Sequence, residues 1–202
     1  MVDDPRRFAP ATARYRGPIL DILRPHLPER GLVLEVASGS GEHVTHFAAS
    51  LADRQAIQFL PSDPDPVARA SIDAWVQDLG LANVRPAVAL DASADAWPLD
   101  RADAILCINM IHISPWAATV GLMRNAARLL PLTGLLYLYG PYRRGGQMVP
   151  SNQAFDDQLR EQNAAWGVRD LEAVEALAVE HGFAPPLILE MPANNLSVLF
   201  RR

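Results

Sequence analysis

Gly31-Leu32-Val33-Leu34-Glu35-Val36-Ala37-Ser38-Gly39-Ser40-Gly41-Glu42-His43 is the stretch whose reading decides the fold of this chain. Leu32–Ala37 is short and almost wholly apolar, the composition of a strand buried on both faces. Ser38–Gly41 reads as a tight loop, because Gly39 and Gly41 let the backbone turn sharply and approach a ligand closely. From His43 to Leu51 the apolar residues return to helical spacing. A helix start in that place offers free amides and a partial positive charge, a seat for a carboxylate or a pyrophosphate. The third glycine of a dinucleotide fingerprint would fall where Val44 stands, and no Gly-Lys-Ser/Thr follows to make a P-loop. By itself a Gly-x-Gly is also an ordinary strand–helix turn.

Outward from this stretch, Ile19–Leu27 is helical with an interruption at Pro25. Ala56–Leu60 is a second strand ended by Pro61, and Val67–Leu79 a helix. Val84–Leu90 and Ala102–Asn109 read as the third and fourth strands, Ala117–Leu130 as a helix and Gly134–Tyr139 as the fifth strand. Alternation of this kind indicates an α/β fold with a mainly parallel sheet. Residues 140–167 break the rhythm, being long and polar with one short helical stretch over Phe155–Gln162. A helix over Asp170–His181 follows, then strands near Leu187–Glu190 and Leu196–Phe200 joined by Met191–Asn195, as in an antiparallel hairpin. The expectation is one Rossmann-like domain over residues 1–202. It has a seven-stranded, mostly parallel sheet with helices on both faces, closed by that hairpin, the pattern of class I methyltransferases.

In such sheets ligands sit at the carboxyl ends of the strands. Those ends are Ala37–Gly41, Pro61–Asp65, Leu90–Ala92, Asn109–Ser114 and Gly140–Tyr142. A carboxylate at Asp63 is placed to accept both ribose hydroxyls of a nucleoside, with Asp65 a neighbouring competitor; Asp63 is also a candidate cap for the Val67–Leu79 helix. Asp91 is placed to accept from an adenine amino group, or else to form an Asx turn before Ser93. Glu35, inside an apolar strand, needs a partner: the glycine loop, the amino group of a ligand, or Arg16. His112 is a candidate general base, the alternative being a histidine bonded to backbone. Arg169 suits an acceptor carboxylate or an anchor for residues 140–167, and Tyr142 and Trp166 are also candidates for packing that segment down.

The 202 residues carry a net charge of −5 and no basic stripe, which speaks against nucleic acid and for a small-molecule partner. Cys107 is the one cysteine and reads as inert core packing. Met1–Pro10 holds two Asp and two Arg with no apolar h-region, so no secretory signal is expected, and no apolar run is long enough for a membrane span. A cytoplasmic protein, monomer or homodimer, is the expectation. His43 and His46 lie three apart without further ligands, so no metal is expected. No Gly-x-Ser-x-Gly elbow is present.

Longer strings extend the case. They are Pro18-Ile19-Leu20, Val33–His43, Pro61-Ser62-Asp63, Leu90-Asp91 and Cys107–Pro115. Tyr139-Gly140-Pro141-Tyr142, Ser151-Asn152 with Phe155-Asp156, Trp166–Asp170 and Met191–Asn195 follow in order. On these strings, from about Phe8 onward, the chain resembles the DUF938 family, the methyltransferase-like 26 proteins. The resemblance implies a class I S-adenosylmethionine-dependent methyltransferase fold. It departs from the family at Tyr15, where asparagine is usual in the segment expected to close over the cofactor, and at Phe59-Leu60, where a Trp–Gln pair is usual. The implied cofactor is S-adenosylmethionine, held by Glu35, Ala37, Ser38, Gly39, Gly41, His43, Asp63, Asp91 and Asn109. The acceptor set is His112, Tyr142, Asn152, Asp156, Arg169 and Asn194, with His112, Asn109 and Tyr142 as catalytic candidates. The expected activity is in-line methyl transfer to a small molecule; the alternative is a module that binds S-adenosylmethionine or S-adenosylhomocysteine without chemistry.

Overall fold

The computed structural model describes residues 4–54 and 56–202, the side chain of Ala11 excepted. Seven strands form one sheet: β1 (Gly31–Val36), β2 (Ile57–Ser62), β3 (Ala104–Ile108), β4 (Leu135–Arg143), β5 (Arg169–Asp170), β6 (Leu187–Met191) and β7 (Asn195–Arg201). Their spatial order is β2-β1-β3-β4-β7-β6, with β5 paired to the far end of β4. Pairs among β1 to β5 are parallel, while β7 runs antiparallel to both β4 and β6. Six α-helices accompany them: α1 (Pro10–Leu23), α2 (Glu42–Ser50), α3 (Pro66–Asp78), α4 (Trp116–Leu129), α5 (Pro150–Gln162) and α6 (Leu171–Glu180).

Two cores explain the apolar strands. Leu32, Leu34 and Val36 of β1 join Ile105, Cys107, Leu136 and Leu138 in a cluster with α4 and α6. Val33, Ala104, Leu106, Leu135 and Tyr137 join residues of α1, α2 and α3 in the other. Because successive side chains alternate faces and both faces are covered, no polar alternation is left to read. Among the described residues no helix is long and apolar enough to cross a membrane.

Three elements depart from expectation. Val84–Leu90 is not a strand: it touches β2 only at the isolated bridges Phe59–Val84 and Ser62–Val88. The segment needs one more residue than β2 to pass between those bridges, and Pro86 in the middle has no amide to donate. The seventh strand is instead the two-residue β5. Pro61 does not end β2 but lies within it. Its missing N–H points to the outer edge, where Val88 N donates to Pro61 O at 3.1 Å, so no inner ladder bond is lost. Helix α1 starts nine residues earlier than expected, at Pro10, and contains Pro18. Fully buried Ile19 and Leu23 hold it against α2, and tertiary packing outweighs the breaker. The chain stops being helical just before Pro25.

Candidate functional site

The first turn holds its shape by sacrificing side chains. Gly41 has φ 91°, and a Cβ there would come within 2.9 Å of Ile72 Cα on α3. Gly39 N donates to Asp63 Oδ2 at 3.0 Å, and Asp65 N donates to Asp63 Oδ1 at 2.9 Å. Asp63 therefore ties the glycine loop to the end of β2, a role the sequence reading missed. Capping of α3 falls to Asp65, which accepts from Val67 N at 2.9 Å. Ser38 Oγ donates to Glu35 O at 3.3 Å and accepts from Ser62 N at 3.2 Å, so it too is internal bracing. Over the same turn, Glu42 Oε2 accepts from Ala9 N and from Ser40 Oγ, bringing the N-terminal segment across.

Beside this turn lies a cavity of about 490 Å³, within the size range of small-ligand sites. Ala37, Asp63 and Asp91 line it, and its apolar wall includes Leu90, Met110, Ile113 and Ala118. Asp91 does form the Asx turn, its Oδ1 accepting from Ser93 N at 2.8 Å, and still faces the cavity. Of the other expected cofactor residues, Glu35, Ser38, Gly39, Gly41, His43 and Asn109 do not line it, Asn109 facing a second chamber instead. Open space stands over Gly39, where a side chain would meet nothing within 4 Å. Glu35 is 2% exposed, its Oε2 has no partner among the described residues, and burial pushes its pKa up to about 8. No ion pair joins it to Arg16 among the described residues. His43 is half-buried against Phe47, and burial, with His46 and Arg16 nearby, lowers its pKa to about 4.

A second chamber, of about 410 Å³, is lined by Tyr15, Asn109, Ile113, Tyr139, Pro141, Ser151, Asn152, Phe155, Ala193 and Asn195. Ile113 belongs to both cavities, so they abut. Tyr15, expected to close over the cofactor, thus lines the second chamber and not the first cavity. Asn152 also lines a third cavity of about 310 Å³, with Tyr142, Arg144, Glu190 and Asn194. Backbone strain marks the same places. The non-glycine residues of positive φ among those described are Ala37, Asn109, Ala193 and Asn194, each on a cavity wall. Ala37 was expected at the site, but nothing in the sequence announced a positive φ at either alanine.

Four expected acceptor contacts are corrected. His112 is fully buried and lines none of these cavities. Its Nδ1 accepts from Arg169 N at 3.4 Å and its carbonyl from Gly167 N at 2.9 Å, while burial, helped by the Arg169 charge, lowers its pKa to about 3. A Cβ on Gly140 would collide with His112 Nε2, so the ring is wedged against β4. Tyr142 packs edge-on to His112 at 5.1 Å, and burial holds its hydroxyl well above the usual pKa. It lines the third cavity and not the chamber, so neither residue is placed to take a proton from an acceptor there. Arg169 spends its guanidinium on the carbonyls of Ile111, Ser114 and Ala165. Asp156, 3% exposed, accepts from Val168 N at 2.6 Å and Arg160 Nε at 2.8 Å. Both are buckles that fasten residues 140–167 to the sheet. Asn152 and Asn194 do meet, Asn152 Nδ2 donating to Asn194 O at 3.0 Å.

This sheet order, with its antiparallel β7 and its cavities at the strand ends, is the Rossmann-like fold of class I methyltransferases. The chain belongs to the family described as "Protein of unknown function (DUF938)", which it matches over residues 6–202. Among solved structures it is similar to an O-methyltransferase family protein from Burkholderia thailandensis (TM-score 0.78, 14% identity, covering 95% of this chain and 57% of that one). It is similar to an O-methyltransferase family 2 protein from Planctomyces limnophilus in complex with apigenin (TM-score 0.75, 17% identity, 95% and 60% covered). A methyltransferase of calicheamicin biosynthesis in its SAH-bound form is similar too (TM-score 0.72, 17% identity, 95% and 55% covered). The chain spans little more than half the length of these structures.

Proposed function

We propose that the chain binds S-adenosylmethionine in the cavity between Asp63 and Asp91 and methylates a small molecule held in the adjoining chamber. The observation that carries this is the contact of two differently built cavities at Ile113, one edged by carboxylates and one by neutral amides, at the strand ends of this fold. In this reading Asp63 takes the ribose hydroxyls, Asp91 the adenine edge, and Met110 and Leu90 cover the base; all four line the one cavity, which supports it. Glu35 lies behind the loop and off the cavity wall with Oε2 unpartnered, so a cationic amino group seated at the loop would favour its ionised form. Bound there, the cofactor supplies an activated methyl group. The protein's part is alignment and exclusion of water, with Ile113 at the junction and Asn109 on the chamber wall. Solved relatives of this fold include an SAH-bound methyltransferase, which supports the reading.

Isothermal titration with S-adenosylmethionine and S-adenosylhomocysteine, on wild type and Asp63→Ala, tests it. Binding weakened in the variant is expected; no binding by either compound, or equal affinity in both proteins, contradicts it. Release of S-adenosylhomocysteine in the presence of an acceptor then separates an enzyme from a module that only holds the cofactor.

A further inference from the structure

The second chamber is built without a charge, and we propose that it takes an uncharged, flat aromatic molecule bearing hydroxyl or N–H donors. This rests on the reading of the neighbouring cavity as the methyl-donor site. Rings of Tyr15, Tyr139 and Phe155 form its walls, and the carboxamides of Asn109, Asn152 and Asn195 supply the polar contacts. Among the described residues no Asp, Glu, Lys, Arg or His lines it. Two charges next to lining residues do not line the chamber. Arg14 lies over the Tyr15 ring at 5.7 Å with its side chain in water, and beyond Asn152 the Arg144 guanidinium pairs with Glu190 at 2.7 Å. An ion entering this space would lose its hydration and gain no counter-charge.

Polarity inside the chamber points the same way. Asn152 and Asn195 donate their amide N–H groups to the carbonyls of Asn194 and Pro192, at 3.0 and 3.1 Å. Each carboxamide keeps its oxygen as an acceptor for a ligand hydroxyl or N–H, along with one further N–H of its own. The Tyr139 hydroxyl, on a side chain 1% exposed, has the Asn195 carboxamide beside it but not at full hydrogen-bonding geometry. A buried polar group left so is costly, and a ligand hydroxyl or ring nitrogen would satisfy it. Burial pushes the Tyr139 pKa up to about 12, so it stays neutral and adds no charge to the chamber. Three rings around a space of about 410 Å³ suit a flat ring system better than a chain, because stacking and edge contacts reward planarity.

Three probes of one ring size and different charge test this: naphthol, naphthoate and naphthylmethylammonium, titrated calorimetrically into the full chain with and without S-adenosylhomocysteine. Naphthol is expected to bind about tenfold more tightly than either ion. Equal or tighter binding of an ion in both states, or no binding of naphthol in either, overturns the proposal. Failure of S-adenosylhomocysteine itself to bind overturns the donor-site reading instead, and the titrations without it still read the chamber. Asn152→Asp, which adds a charge at constant volume, is expected to weaken naphthol about tenfold and improve the ammonium probe, with S-adenosylhomocysteine affinity reporting an intact fold. Phe155→Ala removes a ring without touching the amides and is expected to weaken all three probes. Either variant binding naphthol like wild type counts against the assignment.

Discussion

The two cavities that meet at Ile113 are made in different ways. The first cavity, edged by Asp63 and Asp91, is a product of the sheet: its groups sit on the ends of β1, β2 and β3 and on the segment that follows Val88, and its carboxylates also brace the backbone. The second chamber is a product of additions to the sheet: α5, the Pro192–Asn194 turn and α1 are brought over the ends of β3 and β4. One is held by the hydrogen bonds of the strand ends. The other is held by Asp156 and Arg169, which fasten a polar segment down. Perturbing one region should leave the other nearly unchanged, and mutants can break that separation.

The largest effect is expected at Asp156→Ala. It leaves Val168 N and Arg160 without their buried partner and should cost about 3 kcal/mol of stability by urea unfolding, with protease cleavage rising inside residues 144–167. Affinity for S-adenosylhomocysteine should hold. If it falls in step with stability, the two regions are not independent. Asp63→Ala is the converse. Loss of a charged acceptor should cost about 2 kcal/mol, roughly thirtyfold, in cofactor affinity while naphthol binding in the chamber persists.

A pH experiment separates the regions by titration. Glu35 in the folded protein keeps a proton up to about pH 8 that the unfolded chain releases near its ordinary 4.5, so stability falls as pH rises through that window. His43 and His112 act oppositely: their folded values of about 4 and about 3 lie below the ordinary 6.5, so their contribution is present above 6.5 and lost as pH falls. Above pH 6.5, of these three groups, only Glu35 sets the slope. Glu35→Gln should flatten the decline between pH 6.5 and 8 by about 2 kcal/mol, read as urea midpoints at the two ends. A decline as steep in the variant removes Glu35 from the account. The smallest effect is expected at Tyr15→Asn, which restores the residue usual in the family. Stability should change by less than about 1 kcal/mol, naphthol affinity should drop a few-fold, and cofactor affinity should stay, since Tyr15 lines only the chamber.

Legibility in the sequence follows the same division. Strands β1, β3 and β4, the glycine turn, and Asp63 and Asp91 could be read because apolar runs and strand-end carboxylates are local signals. Val84–Leu90 was misread because its apolar residues pack like a strand while its register against β2 slips. Around the second chamber the sequence does not separate residues that face the space from residues that brace the chain. His112, Asp156 and Arg169 look like chemistry in a list of polar residues, yet each is spent on backbone groups brought from distant parts of the chain. Tyr15, Tyr139 and Phe155 look like packing and face the chamber. Only long-range contacts distinguish the two cases, and those depend on how residues 140–167 close over the sheet.

A crystal structure with S-adenosylhomocysteine bound is the most direct test of the two-cavity arrangement. The account predicts ribose hydroxyls bonded to Asp63, the base between Asp91 and Met110, and the sulfur turned toward Ile113 and the chamber behind it. A nucleoside bound elsewhere, or a sulfur facing away from that chamber, would contradict it.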